Sequence, residues 1–364
     1  MGKTNLFSTM CKNSDVGMKT SKDDRSKIIL TTRIQLARNL SGHKFESISS
    51  NQEKNDILNL IIGVASGIKE LSDYKFYTVN KLTKVQRRLL VEKHLMSPGM
   101  TSKMHGKGVL VKSCPGNNRK SVSIMINGED HLRIQCVSQG LNVRESCKEI
   151  MRIEKKLEKK LTFAFSSKLG YLTACPVNLG TALRISVIAH LPGLVMSSEI
   201  TNFINNLTNV GCRIVGYFGE NSEIVGNLFQ ISSRATLGRS EEDIVEEMNA
   251  ICLNIVDEEE KSRQALKANH LVDMEDSVYR SYGVLKYAKM LSYEESLELL
   301  SMVELGMELG IVKNVKKFNF SKLVNIIGNS HIMLSMKKDR KLREDEVDFI
   351  RANVIREKIL KRIR

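Results

Sequence analysis

No stretch of this chain is apolar for long enough to span a bilayer, which argues against an integral membrane protein. Tryptophan is absent and proline occurs four times, so few breaks are imposed on helices and strands. Residues 1–25 are polar and lack an apolar signal core, which predicts a protein that is not exported. The seven cysteines (Cys11, Cys114, Cys136, Cys147, Cys175, Cys212 and Cys252) are odd in number and never form a C-x-x-C pair. That argues against a zinc site or a disulfide framework and for a reducing cytoplasm. There is no G-x-x-x-x-G-K-[ST], no G-x-G-x-x-G, and no H-R-D or D-F-G set. Any nucleotide must therefore be held by side chains rather than by a glycine-rich cradle.

What is present suits a full core: 364 residues, 41% of them hydrophobic, enough for two domains or one large domain with an appendage. The net charge of +15 favours acidic partners such as nucleotide phosphates. Lys and Arg are interleaved with acids rather than gathered into an aromatic-studded patch, so direct nucleic-acid binding is not expected. Residues 1–26 read as a mobile segment, 27–268 as a mixed α/β domain and 269–364 as a helical domain whose apolar stripes suit pairing with a second copy.

Along the chain, residues 31–36 alternate, sending Arg33 and Gln35 to one face of a strand; an edge strand with solvated polar residues is the plainer reading. Residues 52–69 predict an amphipathic helix burying Ile57, Leu60, Ile61 and Val64, and 79–94 predict another that ends at His94. Strands are expected at 108–111 and 122–127, joined by a turn at 114–120. Glu129, Asp130 and His131 then crowd between two β-like runs. A helix is expected over 146–165 and another over 197–207. Strands are expected from Cys212 and over 227–231, the first placing Glu220 on a flexible tip. Ser240 caps a helix running to about Ala268, with acids at 241–243 filling its first turn. Beyond it, helices are expected at 273–290, 293–310, 318–336 and 343–363.

Residues 170–184 organise the rest. Cys175 precedes Pro176, which ends any ladder and holds the thiol at a turn. Leu183, Val187 and His190 follow at helical spacing, so Arg184 is expected near the start of an apolar helix. A lone cysteine is more often a small buried hydrophobe. Here, however, Arg33, His94, Glu129, Arg133, Arg184, Glu220 and Arg234 also lie at strand ends or in loops, where sites are built. Scattered arginines can neutralise a triphosphate. Two carboxylates and a thiolate suit a planar guanidinium, which they can grip while one accepts its proton.

The motifs at 31–39 (TTRIQLARN), 91–94 (VEKH), 127–135 (NGEDHLRIQ), 170–181 (GYLTACPVNLGT) and 219–220 (GE) resemble the phosphagen, or ATP:guanido, kinase family. Residues 228–232 with 236–240, and 280–284, look like its bacterial branch acting on protein arginines. The resemblance covers about residues 27–360. It implies an α+β fold: a phosphagen-kinase/glutamine-synthetase-like catalytic domain whose antiparallel sheet is flanked by helices, plus a C-terminal all-α domain. It implies transfer of the γ-phosphoryl group from Mg2+·ATP, the Mg2+ held by the nucleotide phosphates and not by a metal site of the protein. The acceptor is an arginine side chain within a protein, with Glu129, Glu220 and Cys175 as catalytic contacts. ATP would be held along Thr31, Thr32, Arg33, Ile34, Gln35, His94, Arg133, Arg184, Ile185, Ser186, Val187, Ile188, Val215, Gly216, Tyr217, Phe218, Gly219 and Arg234. Implied partners are protein substrates, a second copy, a zinc-binding activator and a Clp-type unfoldase. The N-terminal helical domain that helps larger family members select a small substrate is not expected.

Two departures stand out. Gln35 and Val215 occupy positions where the family usually has arginine. Each charge-assisted phosphate contact is worth roughly 1.5–3 kcal/mol, so turnover is expected to be lower, with Arg213 and Arg234 as compensating candidates. The family's phosphoarginine-sensing motif is degenerate here, keeping Asp348, Arg351 and Ala352 but having Val347 in place of its first arginine.

Overall fold

The computed structural model describes residues 7, 25–113, 120–217, 219, 223–234, 236–313, 315–336 and 342–360. The mobile segment expected at 1–26 and the turn expected at 114–120 lie mostly outside them. Among the described residues ten strands are formed: β1 (Ile29–Arg38), β2 (Lys75–Thr78), β3 (Gly108–Ser113), β4 (Lys120–Ile126), β5 (Leu132–Gln139), β6 (Phe165–Ser166), β7 (Gly170–Tyr171), β8 (Leu183–His190), β9 (Cys212–Gly216) and β10 (Leu228–Ser233). Eight of them make one sheet in the order β2-β3-β4-β5-β1-β8-β10-β9, while β6 and β7 form a separate hairpin. The run β2-β3-β4-β5 is antiparallel, with Gly108 opposite Ile126 and Ile126 opposite Leu132.

Two expectations change here. β1 is an interior strand between β5 and β8, not an edge. Residues 183–190 form a strand rather than a helix. Leu183, Ile185, Val187 and Ala189 are buried and so is Ile188, so apart from Arg184, Ser186 and His190 the strand is apolar on both faces. A short apolar run buried on both sides mimics helical spacing, and its β-branched residues favour the extended form.

The α-helices after β1 are α1 (Asn51–Ser66), α2 (Lys84–Glu92), α3 (Val143–Glu158), α4 (Pro192–Met196), α5 (Ile200–Asn209), α6 (Glu241–Asn269), α7 (Leu271–Tyr287), α8 (Tyr293–Glu308), α9 (Phe320–Ile326), α10 (Asn329–Ser335) and α11 (Glu344–Ile359). Capping boxes at Ser50/Glu53 and Thr83/Gln86 set the starts of α1 and α2, so α2 is shorter than expected. α1 buries Ile57, Leu58, Ile61 and Ala65, whereas Leu60 is exposed. α3 stops at Glu158, and Phe165 joins a strand instead. Residues 318–336 form two helices, with Gly328 capping the second. Ser240 caps α6 as expected: its Oγ accepts from Asp243 N at 3.1 Å.

The chain forms two compact units, one of residues 32–186 and 232–250, the other of 1–31, 187–231 and 251–364. Their boundaries fall inside β1, β8, β10 and α6 and do not follow the division expected at 268/269. In the first unit Ile34, Leu36, Ile124, Ile134, Ile150 and Leu157 are fully enclosed. The second is built on Leu285, Leu297, Leu300, Val303, Leu323 and Ile355. No helix among the described residues is long and apolar enough to cross a membrane.

Candidate active site

Three neighbouring strands of the first unit, β5, β1 and β8, build a polar face from residues two apart in sequence. β1 supplies Arg33 and Gln35, β5 supplies Arg133 and Gln135, and β8 supplies Arg184 and Ser186. Arg33 Nε donates to Ser186 Oγ at 3.1 Å, and Gln35 Nε2 donates to Gln135 Oε1 at 2.7 Å. Burial, then the charges of Arg184 and Arg133, pull the Arg33 pKa down to about 10. Cations pressed together this closely are relieved by an anion carrying several charges, so the donor set fits a polyphosphate. His94 follows α2 with φ 53° and gives its carbonyl to Gln135 Nε2. Burial first, and the charge of Arg33 second, lower its pKa to about 3, so the ring is neutral.

The β4–β5 turn carries Glu129. Asn127 enters it with φ 52°, a conformation asparagine tolerates well, and its Nδ2 donates to Lys54 O and Gly106 O, both at 2.8 Å. Asn127 N bonds His131 O and Gly128 N bonds Asp130 O, which leaves Glu129 at the tip. Its side chain is 48% exposed and accepts from Arg133 Nη2 at 2.6 Å. Asp130, beside it, is wholly buried. Its Oδ1 accepts from Asn39 Nδ2 and from Ala174 N, each at 2.8 Å, and its Oδ2 lies 3.5 Å from Arg133 Nη2. One carboxylate therefore ties the residue next to Glu129 to the residue next to Cys175. His131 is a brace: Nδ1 accepts from Leu40 N at 3.0 Å, which leaves Nε2 to donate to Lys44 O at 2.8 Å.

Cys175 is half-buried and opens the short turn Pro176–Asn178. Thr173 Oγ1 donates to its carbonyl at 2.8 Å. The loop closes on Thr236, whose Oγ1 reaches Leu179 O at 2.6 Å and Val177 O at 3.2 Å. Gly180 sits between, at φ 102°, where a Cβ would meet Thr236 O at 2.3 Å; only glycine fits.

The structure thus brings Arg33, Gln35, His94, Glu129, Arg133, Cys175, Arg184 and Ser186 into the first unit. Thr32 is a structural residue, its Oγ1 donating to Gly140 O at 2.7 Å. Ile34 and Ile185 are buried, and Arg234 is exposed just after β10, where Ser233 Oγ accepts from Ile185 N. Val187, Ile188, Val215, Gly216, Tyr217 and Gly219 belong to the second unit, with Ile188 and Tyr217 in its core. Glu220 and Phe218 lie outside the described residues. Arg351, also in the second unit, is 1% exposed. It donates to Ile327 O, Leu291 O, Asn329 Oδ1 and Asp348 Oδ1, and Ala352 is buried beside it. Asp130, missed from the sequence as a site residue, was signalled by the density of polar groups at 129–131. No cluster of possible metal ligands occurs among the described residues.

The sequence matches the family model of the ATP:guanido phosphotransferase C-terminal catalytic domain over residues 56–262, and that of the protein-arginine kinase McsB C-terminal domain over 272–363. A protein-arginine kinase of Bacillus cereus is 35% identical over 336 residues, 92% of this chain and 93% of the relative. One of Bacillus licheniformis is 38% identical, covering 92% of this chain and 90% of that one. Among solved structures, a lombricine kinase superposes with a TM-score of 0.56 at 23% identity over 71% of each chain. The duplicated taurocyamine kinase of Schistosoma mansoni with bound transition-state analogue components gives 0.58 at 20% identity, over 80% of this chain and 48% of that one. These two show the phosphagen-kinase fold. The sequence matches place the chain in the ATP:guanido phosphotransferase family, as an enzyme of its protein-arginine kinase group.

Proposed function

We propose that this enzyme phosphorylates arginine side chains of proteins, and that Glu129, Glu220 and Cys175 grip the acceptor guanidinium. The observation that carries this reading is the 2.8 Å bond from Ala174 N to Asp130 Oδ1, which holds the Glu129 tip and the Cys175 loop to one buried carboxylate. Glu129 accepts the proton that leaves the attacking nitrogen. Arg33, Arg133 and Arg184 bind phosphates, while neutral His94 flanks the base without adding a charge that ATP would have to offset. Bound Mg2+·ATP supplies the γ-phosphoryl group and further charge neutralisation. The remaining nucleotide-lining positions read from the sequence, including Val215–Gly219 and Arg234, belong to the same proposal.

Residues 27–268 act as the catalytic domain and 269–364 as a dimerising helical domain. Phosphorylated proteins are marked for a Clp-type unfoldase in the cytoplasm as part of a stress response, with a zinc-binding activator; family resemblance supports these points. Incubation with ATP and a protein substrate yields acid-labile phosphoarginine that is lost in Glu129→Ala and Glu220→Ala. No phosphoarginine under any condition, with activator and Mg2+ present, sinks the reading. One observation favours a second: the Gln35–Gln135–His94 chain is neutral where a family arginine would stand. On that reading the protein is an adaptor that binds phosphoarginine or a protease partner without transfer, and it shows no ATP affinity.

A further inference from the structure

Exposed apolar side chains stand near the thiol loop in a way the chemistry of a guanidinium does not require. Val177, two residues beyond Cys175, is 64% exposed, and Leu237 is 53% exposed. Thr236 ties the two together, its Oγ1 donating to Val177 O at 3.2 Å while its own peptide leads directly into Leu237. Gly180 packs against the same backbone, a Cβ there falling 2.7 Å from Leu237 Cα. Tyr171 N donates to Gly180 O at 2.8 Å, and the Tyr171 ring meets Phe165, 62% exposed, at 5.3 Å. Hydrogen bonds thus join the backbone at Val177, Thr236, Gly180 and Tyr171, and strand pairing and a ring contact set Phe165 beside Tyr171.

We infer that Val177 and Leu237, with Phe165 beyond them, form an apolar lip that docks the polypeptide on either side of the acceptor arginine and selects targets with apolar flanking residues. The inference rests on the protein-arginine reading above. The occupant is argued from position: Val177 lies two residues from Cys175 in one short turn, so a polypeptide whose guanidinium reaches the thiol has the lip within reach. A free amino acid would bring charged α-amino and α-carboxylate groups to this lip, whereas an arginine within a chain brings neutral peptide and neighbouring side chains. Exposed apolar groups held rigidly gain affinity from the second kind of ligand because little ordering is needed on binding.

The test uses the full chain, Mg2+·ATP and three acceptors: a peptide with Leu and Val flanking arginine, one with Gly on both sides, and N-acetyl-arginine amide. Phosphoarginine formation gives kcat/KM, and fluorescence anisotropy of labelled peptides gives affinity if turnover is slow. The unaltered enzyme favours the Leu/Val peptide over the Gly peptide by about tenfold. The double variant Val177→Ser with Leu237→Ser, both exposed and so compatible with folding, loses that preference while handling the Gly peptide and N-acetyl-arginine amide as before. Equal handling of both peptides by the unaltered enzyme overturns the lip, as does a variant that slows all three acceptors alike. A second copy of the chain seated there would show as a concentration-dependent mass lost in the variant, with no peptide preference, and also overturns it. Phosphoarginine on none of the acceptors or on any protein, with no peptide bound, removes the transferase reading itself.

Discussion

At the scale of single residues, the site depends on a side chain that performs no chemistry. Asp130 is buried and holds Ala174 N, Asn39 Nδ2 and, at longer range, Arg133. In Asp130→Ala, Asn39 keeps a bond to Leu172 O, but Ala174 N is left inside without its acceptor. The expected cost is about 2–3 kcal/mol in a denaturant titration. Because a shift near 1 Å at the thiol loop suffices, kcat should fall about a hundredfold, read beside the denaturant midpoint. His94 makes a second prediction. Its folded pKa of about 3 lies below the ordinary 6.5, so the unfolded chain takes up a proton that the folded one refuses. Stability is present above pH 6.5 and is lost as pH falls toward 3. Between pH 7 and pH 5 about 2 kcal/mol should disappear, and urea titrations of His94→Gln should show a flatter profile over that range. Glu129 and Cys175 drew notice in the sequence because one stands in the β4–β5 turn and the other beside Pro176. The role of Asp130 did not, since a carboxylate bound to three segments looks in one dimension like any other acid in a charged turn.

Among elements, local chemistry was readable where it is local. Ser240 and its acids mark the start of α6, and alternation at 31–36 marks β1. β8 was misread because nothing in residues 183–191 says that both faces of the strand are covered; that information lies in β1, β10 and the layers packed on them. At the break between α9 and α10, Arg351 of α11 donates to Ile327 O and Asn329 Oδ1, a partner that residues 318–336 do not reveal. This arginine also holds Leu291 O at 2.6 Å and lies 5.8 Å from the Tyr293 ring, so it fastens the α7–α8 joint and the α9–α10 turn to α11. Its donors are occupied by the protein itself, which leaves the degenerate motif around Asp348 a structural use. Arg351→Lys keeps the charge but cannot reproduce a fork reaching four acceptors. Thermal denaturation should therefore show a loss of roughly 3 kcal/mol, and the phosphoarginine-forming rate of the protein that remains folded should not change. A rate that falls with stability unaltered would return Arg351 to a signalling role.

On the scale of the whole molecule, the second unit carries buried charge that the proposed reaction does not use. Glu259 accepts from Gly193 N and Leu194 N at the start of α4 and pairs with Arg263 at 2.7 Å. Arg263 also pairs with Glu308, which Lys27 approaches at 3.4 Å. Glu304, one turn before Glu308 on α8, is 8% exposed, and its Oε2 has no hydrogen-bond partner among the described residues. Burial, and then the neighbouring Glu308, push its pKa up to about 8 against the pull of Arg263 and Lys27. Between pH 4.5 and 8 the folded protein therefore holds a proton that the unfolded chain has released, and stability falls as pH rises through that window. The penalty is complete above pH 8 and absent below 4.5. Glu304→Gln keeps the shape and removes the titration. It should stabilise the protein at pH 8 by several kcal/mol, about 4 as an order of magnitude, with the gain shrinking to nothing near pH 4.5. Guanidinium titrations of both proteins across that range provide the measurement. A gain that is the same at every pH would mean that Glu304 enters the fold already ionised, with Arg263 and Lys27 outweighing burial.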